Sequence, residues 1–333
     1  MSEINDNDND LPIIEPEEED RLRCRFCGRL NKIKSKLGTN TSVRCGRCRL
    51  PLSEDTHKKW SKLDPHSYIH PLDSQALSAL KIIPGIETIL KKLLEIIHES
   101  SSRVMFTANS VRVNERQCPD LDAKLDVVCA TLGIEKPELY VSVTQGGGLG
   151  FNAFTGGVEK PFIVIYASLL ERLDDMEVLA VLAHEAGHIH SQHLLYKVAA
   201  DLLFALTDVV LRGSPLAAIA DLLSLPVKAA LLTWRHKAEL SCDRAALLVT
   251  QNERVVASTM MKLAGGTLAS KLDLDEFIAQ SREFDKRAAE NFLDKFWTVL
   301  IASSMSHPFP VWRVSEIIDW AEKEDGYRRL INT

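Results

Sequence analysis

His184 and His188 stand four residues apart, with Glu185 between them, in His184-Glu185-Ala186-Gly187-His188. On a helix this spacing puts both imidazoles on one face, close enough to share one ion. Glu185 falls one step round, where its carboxylate reaches a water on that ion rather than the ion itself. Zinc accepts imidazole nitrogen and carboxylate oxygen, and a site with three protein ligands leaves room for water. Zinc lowers the pKa of such a water to roughly 7. Glu185 could take the proton as the water attacks a peptide carbonyl, then pass it to the leaving amine. The residues therefore imply a catalytic zinc and the hydrolysis of internal peptide bonds.

The competing reading is a solvated helix with two ordinary histidines. Val178, Leu179, Val181, Leu182 and Ile189 make the helix apolar on several sides, which predicts burial. Buried histidines and a buried glutamate need partners. Gly187 in mid-helix costs about 1 kcal/mol against alanine, which predicts tight packing beside the site. A third ligand must come from elsewhere. A histidine six residues beyond His188, preceded by glycine, is ruled out, because those positions hold Leu194 and Ser191. A glutamate on a later helix is the alternative, and Glu239 is the best placed. Asp243, one turn further on the same face, could accept a hydrogen bond from the far nitrogen of a ligating histidine and fix its tautomer.

A second metal site is expected near the N-terminus. Cys24 and Cys27, and Cys45 and Cys48, form two CxxC pairs separated by seventeen residues. Four thiolates from two tight turns suit a closed tetrahedral structural zinc, and Gly28 and Gly46 suit such turns. A redox role is disfavoured, since no βαβ pattern surrounds either pair. A module this small buries little core, so the metal would supply its folding energy. Ten of its residues are Arg or Lys. It could bind nucleic acid electrostatically, but Phe26 is its sole aromatic, which gives a poor base-stacking platform. A protein-binding or regulatory role is favoured. Cys118, Cys129 and Cys242 read as buried free thiols.

The elements that must position these residues follow from pattern. Residues 1–20 hold nine acids and no base, and read as an acidic disordered tail; residues 21–55 form the cysteine module. Residues 56–75, with Pro65 and Pro71, read as a linker, and 76–330 as the domain carrying the histidines. Apolar stripes from Leu77 to Ile97 predict helix, interrupted at Pro84-Gly85. Further helices are expected over 120–132, 175–196, 198–211, 215–232, 235–250, 253–264, 273–301 and 313–325. Leu139–Val143 and Phe162–Tyr166 read as strands, with a glycine-rich turn at 146–150 between them. The fold class is thus α+β, mainly α, with a small β-sheet. The apolar region 198–232 is broken by Asp201, Asp208, Arg212, Asp221 and Lys228, so no transmembrane span is expected, although peripheral membrane contact is compatible with it. The acidic start lacks a secretory pattern, and the CxxC pairs suit a reducing compartment; the expected location is cytoplasmic.

Residues 66 to 330 resemble the HtpX-like and CaaX-prenyl-protease-like zinc metallopeptidases, which are gluzincins. Asn152-Ala153-Phe154, Ser168-Leu169-Leu170, the His184–His188 motif, Glu239 with Asp243, and Ser306-His307-Pro308 with Arg313 carry the likeness in order. The resemblance implies that His184, His188 and Glu239 bind zinc and that Glu185 is the base. It implies that Asn152 and Ala153 border the cleft and pair with an extended polypeptide substrate, and that His307 stabilises the oxyanion. His236 and Cys242 stand where many relatives carry arginine and alanine. His190, His193 and His236 are expected on helix surfaces. The cysteine module is similar to the zinc ribbon at the start of some bacterial thioredoxins. Two zinc ions are expected in all, one catalytic and one structural. The rival reading is an inactive zinc-stabilised scaffold, or an adaptor that binds protein or nucleic acid through the basic ribbon. The intact Glu185 argues against a pure scaffold, which has no chemical need for that base.

Overall fold

The computed structural model describes residues 20–33, 43–53, 56–88, 90–91, 104, 108–143, 152–206, 225–290 and 308–332. The expected acidic tail, the glycine-rich turn and His307 lie outside the described residues.

The chain opens with an antiparallel pair, β1 (Asp20–Arg23) and β2 (Leu30–Ile33), around the first CxxC turn. A four-stranded sheet follows, made of β3 (Ser110–Arg112), β4 (Glu138–Ser142), β5 (Ala153–Gly156) and β6 (Phe162–Tyr166). Its order is β3-β4-β6-β5, with β4 and β6 parallel and the other pairs antiparallel. The β-branched run Ile163-Val164-Ile165 is fully buried in central strand β6, and β5 is an edge. The helices are α1 (Pro71–Lys81), α2 (Pro119–Leu132), α3 (Ala167–Leu170), α4 (Asp175–His190), α5 (Leu194–Leu206), α6 (Leu225–Thr250), α7 (Glu253–Gly265), α8 (Leu274–Glu290), α9 (Pro310–Glu322) and α10 (Asp325–Asn332). The architecture is α+β and mainly helical. Among the described residues, no helix is long and apolar enough to cross a membrane.

Helix α4 starts where its sequence dictates. Asp174 accepts from Met176 N and Glu177 N at 2.8 and 3.0 Å, and Glu177 accepts from Asp174 N at 2.8 Å. This reciprocal capping satisfies donors that the first turn leaves open. The buried Glu177 carboxylate also accepts from Ser258 Oγ at 2.6 Å and Lys262 Nζ at 2.7 Å, which ties the start of α4 to α7. Further along, α4 meets α6 at Gly187. A Cβ there would lie 2.9 Å from Ala245 Cβ and 3.1 Å from Cys242 Cα, so the missing side chain is what lets the two helices approach.

Several expected boundaries move. Residues 215–232 and 235–250 do not form two helices over their described part, because α6 runs unbroken from Leu225 to Thr250. Strands β1, β2 and β3 are too short, at three or four residues, for their alternation to stand out. Residues 56–75, the expected linker, carry packed side chains of their own. They include the start of α1, and Leu63, Tyr68, His70 and Asp73 are all buried. Proline marks a helix start here: His70 caps α1 through Nδ1, and Pro71 occupies its first turn.

The cysteine module also packs against the rest. Phe26, Leu50 and Leu52 belong to the same apolar core as Leu125, Val128 and Leu179. Arg44 reaches Asp175 at 2.6 Å, and Arg47 reaches Asp126 at 2.9 Å. These ion pairs are half-exposed and contribute little; the shared core is the stronger tie.

Gly187→Ala gives a signed test of the helix contact. Alanine gains about 1 kcal/mol of helix propensity, but overpacking costs about 1–3 kcal/mol. Because Cys242 Cα is backbone and cannot swing aside, the net effect should be destabilising, read as a lower urea midpoint with unchanged m-value.

Candidate active site

Helices α4 and α6 bring the sequence-predicted residues together. Glu239 presents one oxygen to each histidine: Oε2 lies 3.3 Å from His184 Nε2, and Oε1 lies 3.4 Å from His188 Nε2. His184 turns its other nitrogen, Nδ1, to Asp243 Oδ1 at 2.9 Å. Asp243 in turn accepts from Arg313 of α9, at 2.8 Å from Nε to Oδ2 and 2.5 Å from Nη2 to Oδ1. This two-pronged pairing is the geometry that suits guanidinium and carboxylate. Glu185 is nearly buried and accepts from Thr155 Oγ1 on β5, at 2.6 Å to Oε2.

The electrostatics follow from burial. Burial disfavours charge on Asp243, but the adjacent Arg313 guanidinium outweighs it and holds the carboxyl below its usual range. Burial likewise opposes charge on His184, yet hydrogen bonds with Asp243 and Glu239 raise its imidazole to about 9. On His188 burial prevails and pulls the imidazole down to about 4, leaving it neutral.

The donor set fits a divalent metal. Two Nε2 atoms and a carboxylate converge, with Glu185 and Asp243 as further buried carboxylates beside them. Nitrogen with oxygen donors suits zinc. Cys242 competes geometrically, since its sulfur lies within 4.8 Å of a nitrogen on both His184 and His188. Its thiol is the weaker candidate. Burial, with Glu239, Asp243, Asp73 and Glu185 nearby, raises it well above its ordinary value, whereas metals bind the thiolate. Glu239 faces both Nε2 atoms directly.

A cavity of about 360 Å³ opens on these groups. Asn152, Ala153, His184, Glu185, Glu239 and Arg313 line its polar part; Leu169, Val181, Val256, Met260 and Leu263 line an apolar wall. Edge strand β5 borders it. Tyr166 N donates to Asn152 O at 3.1 Å. Bonded and non-bonded pairs alternate in an antiparallel ladder, so Ala153 and Thr155 turn their backbone groups to the outer edge. There Ala153 N donates to Asn152 Oδ1 at 2.9 Å, and Thr155 O accepts from Lys197 Nζ at 3.4 Å. Ala153 O and Thr155 N face the same edge.

In the cysteine module, Cys24 Sγ lies 3.7 Å from Cys48 Sγ, and Cys27 Sγ lies 3.6 Å from Cys45 Sγ. All four sulfurs fall within 4.8 Å of one another. A tetrahedron with zinc–sulfur bonds of about 2.3 Å has edges of about 3.8 Å, so the arrangement fits a bound zinc and is far too wide for disulfides. The two turns match: Gly28 N donates to Cys24 O and Arg49 N to Cys45 O, with φ of 76° and 60°. The left-handed place in the second turn thus belongs to Arg49, not to Gly46 as expected.

Sequence reasoning missed three polar partners. Thr155 was within reach, because it shares a strand face with Ala153. His193 was expected on a surface, yet it is fully buried; His236 is also buried, and His190 is partly so, bonded to Tyr68 and Leu63. Asp73 lies 120 residues or more before its partners His193, Trp234 and Ser241 and has no local signal. Cys129 and Cys242 are buried free thiols, whereas Cys118 is partly exposed.

The chain is similar to known peptidases. A family model described as Peptidase family M48 matches residues 115–321. The plastoglobule-localized metallopeptidase 48, chloroplastic, of Arabidopsis thaliana is 36% identical over 271 residues, 81% of this chain and 76% of that protein. Protease HtpX homolog 2 of Methanosarcina mazei is 25% identical over 50% of this chain and 62% of its own length. Protease HtpX homolog 1 of Streptomyces coelicolor is 26% identical over 50% of this chain and 60% of its own. The chain thus spans less than two thirds of these two HtpX homologues. No solved structure matches it.

Arg313→Met should expose how much Asp243 depends on its partner. Leaving a buried charge unpaired costs about 3–5 kcal/mol, measurable by urea unfolding of metal-free protein. Because the folded-state pKa of Asp243 is depressed, the pair's contribution is fully present above the unfolded value of about 4. It is lost as pH falls through the depressed folded value, so the gap between wild type and variant should close in acid.

Proposed function

The chain belongs to peptidase family M48 and is a zinc metalloprotease; from this premise we propose that it is an endopeptidase whose metal is held by His184, His188 and Glu239, with Glu185 as the general base. The observation that carries this reading is the convergence of both Nε2 atoms on one carboxylate, at 3.3 and 3.4 Å, with Glu185 beside them on the same cavity.

Zinc, when bound, acts as a Lewis acid on the scissile carbonyl and acidifies a water. Glu185 takes the proton of the attacking water at its carboxylate and returns it to the departing amine. The Thr155 hydroxyl holds that carboxylate in place, 2.6 Å from Oε2. Asp243 accepts from His184 Nδ1, which directs Nε2 at the metal, and Arg313 keeps Asp243 ionised. Ala153 O and Thr155 N offer an extended peptide a strand to pair with. Main-chain pairing of this kind reads shape more than side chains, which suits unfolded segments as substrate. The apolar wall at Val256, Met260 and Leu263 suits an apolar side chain of the substrate.

Cys24, Cys27, Cys45 and Cys48 would hold a second, structural zinc. Arg44 and Arg47 of this basic module engage Asp175 and Asp126 of the peptidase. Charges already paired within the molecule are less available to nucleic acid, which favours a structural partner inside the same chain. The plant relative's name places it in chloroplast plastoglobules, which conflicts with a plain cytoplasmic location; composition alone does not decide the compartment.

Cleavage of unfolded casein by wild type against Glu185→Gln, with zinc content measured in both, tests the reading. Loss of about 10²–10⁴-fold in rate, with zinc retained, is expected for removal of a general base. Equal rates would refute that role. Two zinc ions are expected per chain, falling to one in Glu239→Ala; two in both proteins would remove Glu239 as a needed ligand.

A further inference from the structure

Helix α4 ends in a way that its motif does not require. Gln192 N donates to Ile189 O at 3.1 Å, and His193 N donates to His188 O at 3.0 Å. This pair of bonds is a Schellman turn, and it needs a left-handed residue, usually glycine. Here Gln192 adopts φ of 56°, although a left-handed backbone costs a residue with a side chain about 1–2 kcal/mol. Such a turn ordinarily closes on an apolar contact between the residue after the left-handed one and the residue five before it. In this chain those two residues are His193 and His188. Their Nδ1 atoms lie 3.4 Å apart, with ring centroids separated by 5.6 Å.

The other side of His193 is equally specified. Its Nε2 lies 3.0 Å from Asp73 Oδ2, and both residues are almost wholly buried. The contact does not meet hydrogen-bond geometry, so charge and dipole attraction holds it. Asp73 is fixed in turn by Trp234 Nε1 at 2.9 Å and Ser241 Oγ at 2.5 Å. Asp73 belongs to α1, which lies outside the residues 115–321 that match the family.

We propose that His193 and Asp73 are positioning residues for His188. Asp73 attracts the Nε2–H of His193, which leaves His193 Nδ1 as an acceptor. That acceptor takes the Nδ1–H of His188 and leaves Nε2 of His188 free to hold the metal. Tautomer and ring orientation of one ligand are thereby set from a helix far away in sequence. A neighbour behind a ligating histidine is worth about 10–100-fold in metal affinity. The inference rests on the metal reading above.

The test is zinc affinity by competition with a chromophoric chelator, using full-length wild type, His193→Phe, Asp73→Asn and the double variant. The site is defined as the zinc that wild type holds and His184→Ala lacks. Phenylalanine keeps a ring and restores the usual apolar contact of the turn, so a merely structural role predicts unchanged affinity. The proposal predicts weakening of about 10–100-fold in each single variant, with metal-free melting temperatures kept near wild type. It also predicts a double variant scarcely weaker than the worse single, because both act through one chain. The ligand-field spectrum of cobalt at this site should shift in the same variants. Affinity within twofold of wild type in His193→Phe overturns the proposal; if that variant does not fold, the same result in Asp73→Asn does so. Equal zinc in wild type and His184→Ala would instead bring down the metal reading, and this inference with it.

Discussion

Three carboxylates, two imidazoles and a guanidinium sit together, largely buried, around Glu239. Each would be costly to bury alone, since an unpaired buried charge is worth several kcal/mol of destabilisation. Much of the fold around the site can be understood as the supply of partners to this cluster. Helix α6 brings Glu239 and Asp243 on one face, α9 brings Arg313, and β5 brings Thr155 to Glu185.

Helix α4 is the element that all of these contacts assume, and both of its ends are built. The capping at Asp174 and Glu177 fixes where the helix begins and ties that end to α7. The left-handed Gln192 fixes where it ends and folds His193 back beneath His188. Between them, Gly187 sets the distance to α6. Ligand geometry tolerates displacements of only about 0.5 Å, so a helix pinned at two ends and one crossing point suits the task.

The cysteine module extends the same logic outward. Its basic side chains meet the acidic first turn of α4 and the side of α2, at Asp175 and Asp126. Phe26, Leu50 and Leu52 continue the core of the helical domain. A module that shares a core with its neighbour stabilises it as well as itself.

The sequence by itself determined the chemistry. HExxH spacing, the later Glu239 and Asp243, and the two CxxC pairs are local patterns in which residue type and interval carry the information. Helix α4, with its Asp174 cap, and strand β6 were legible for the same reason. Two zinc-binding clusters followed from those intervals as expectations, and the residues of each do converge. Tertiary structure alone decided which residues stand behind His184 and His188. Asp73 sits 120 residues from His193 in the chain, in a segment whose prolines read as a spacer, and nothing local marks it as a partner. Burial of His193 depends on a glutamine taking a backbone conformation that its type disfavours. Local propensity points the other way there, and only the tertiary partners of His193, Asp73 of α1 and His188 of α4, show what that conformation serves.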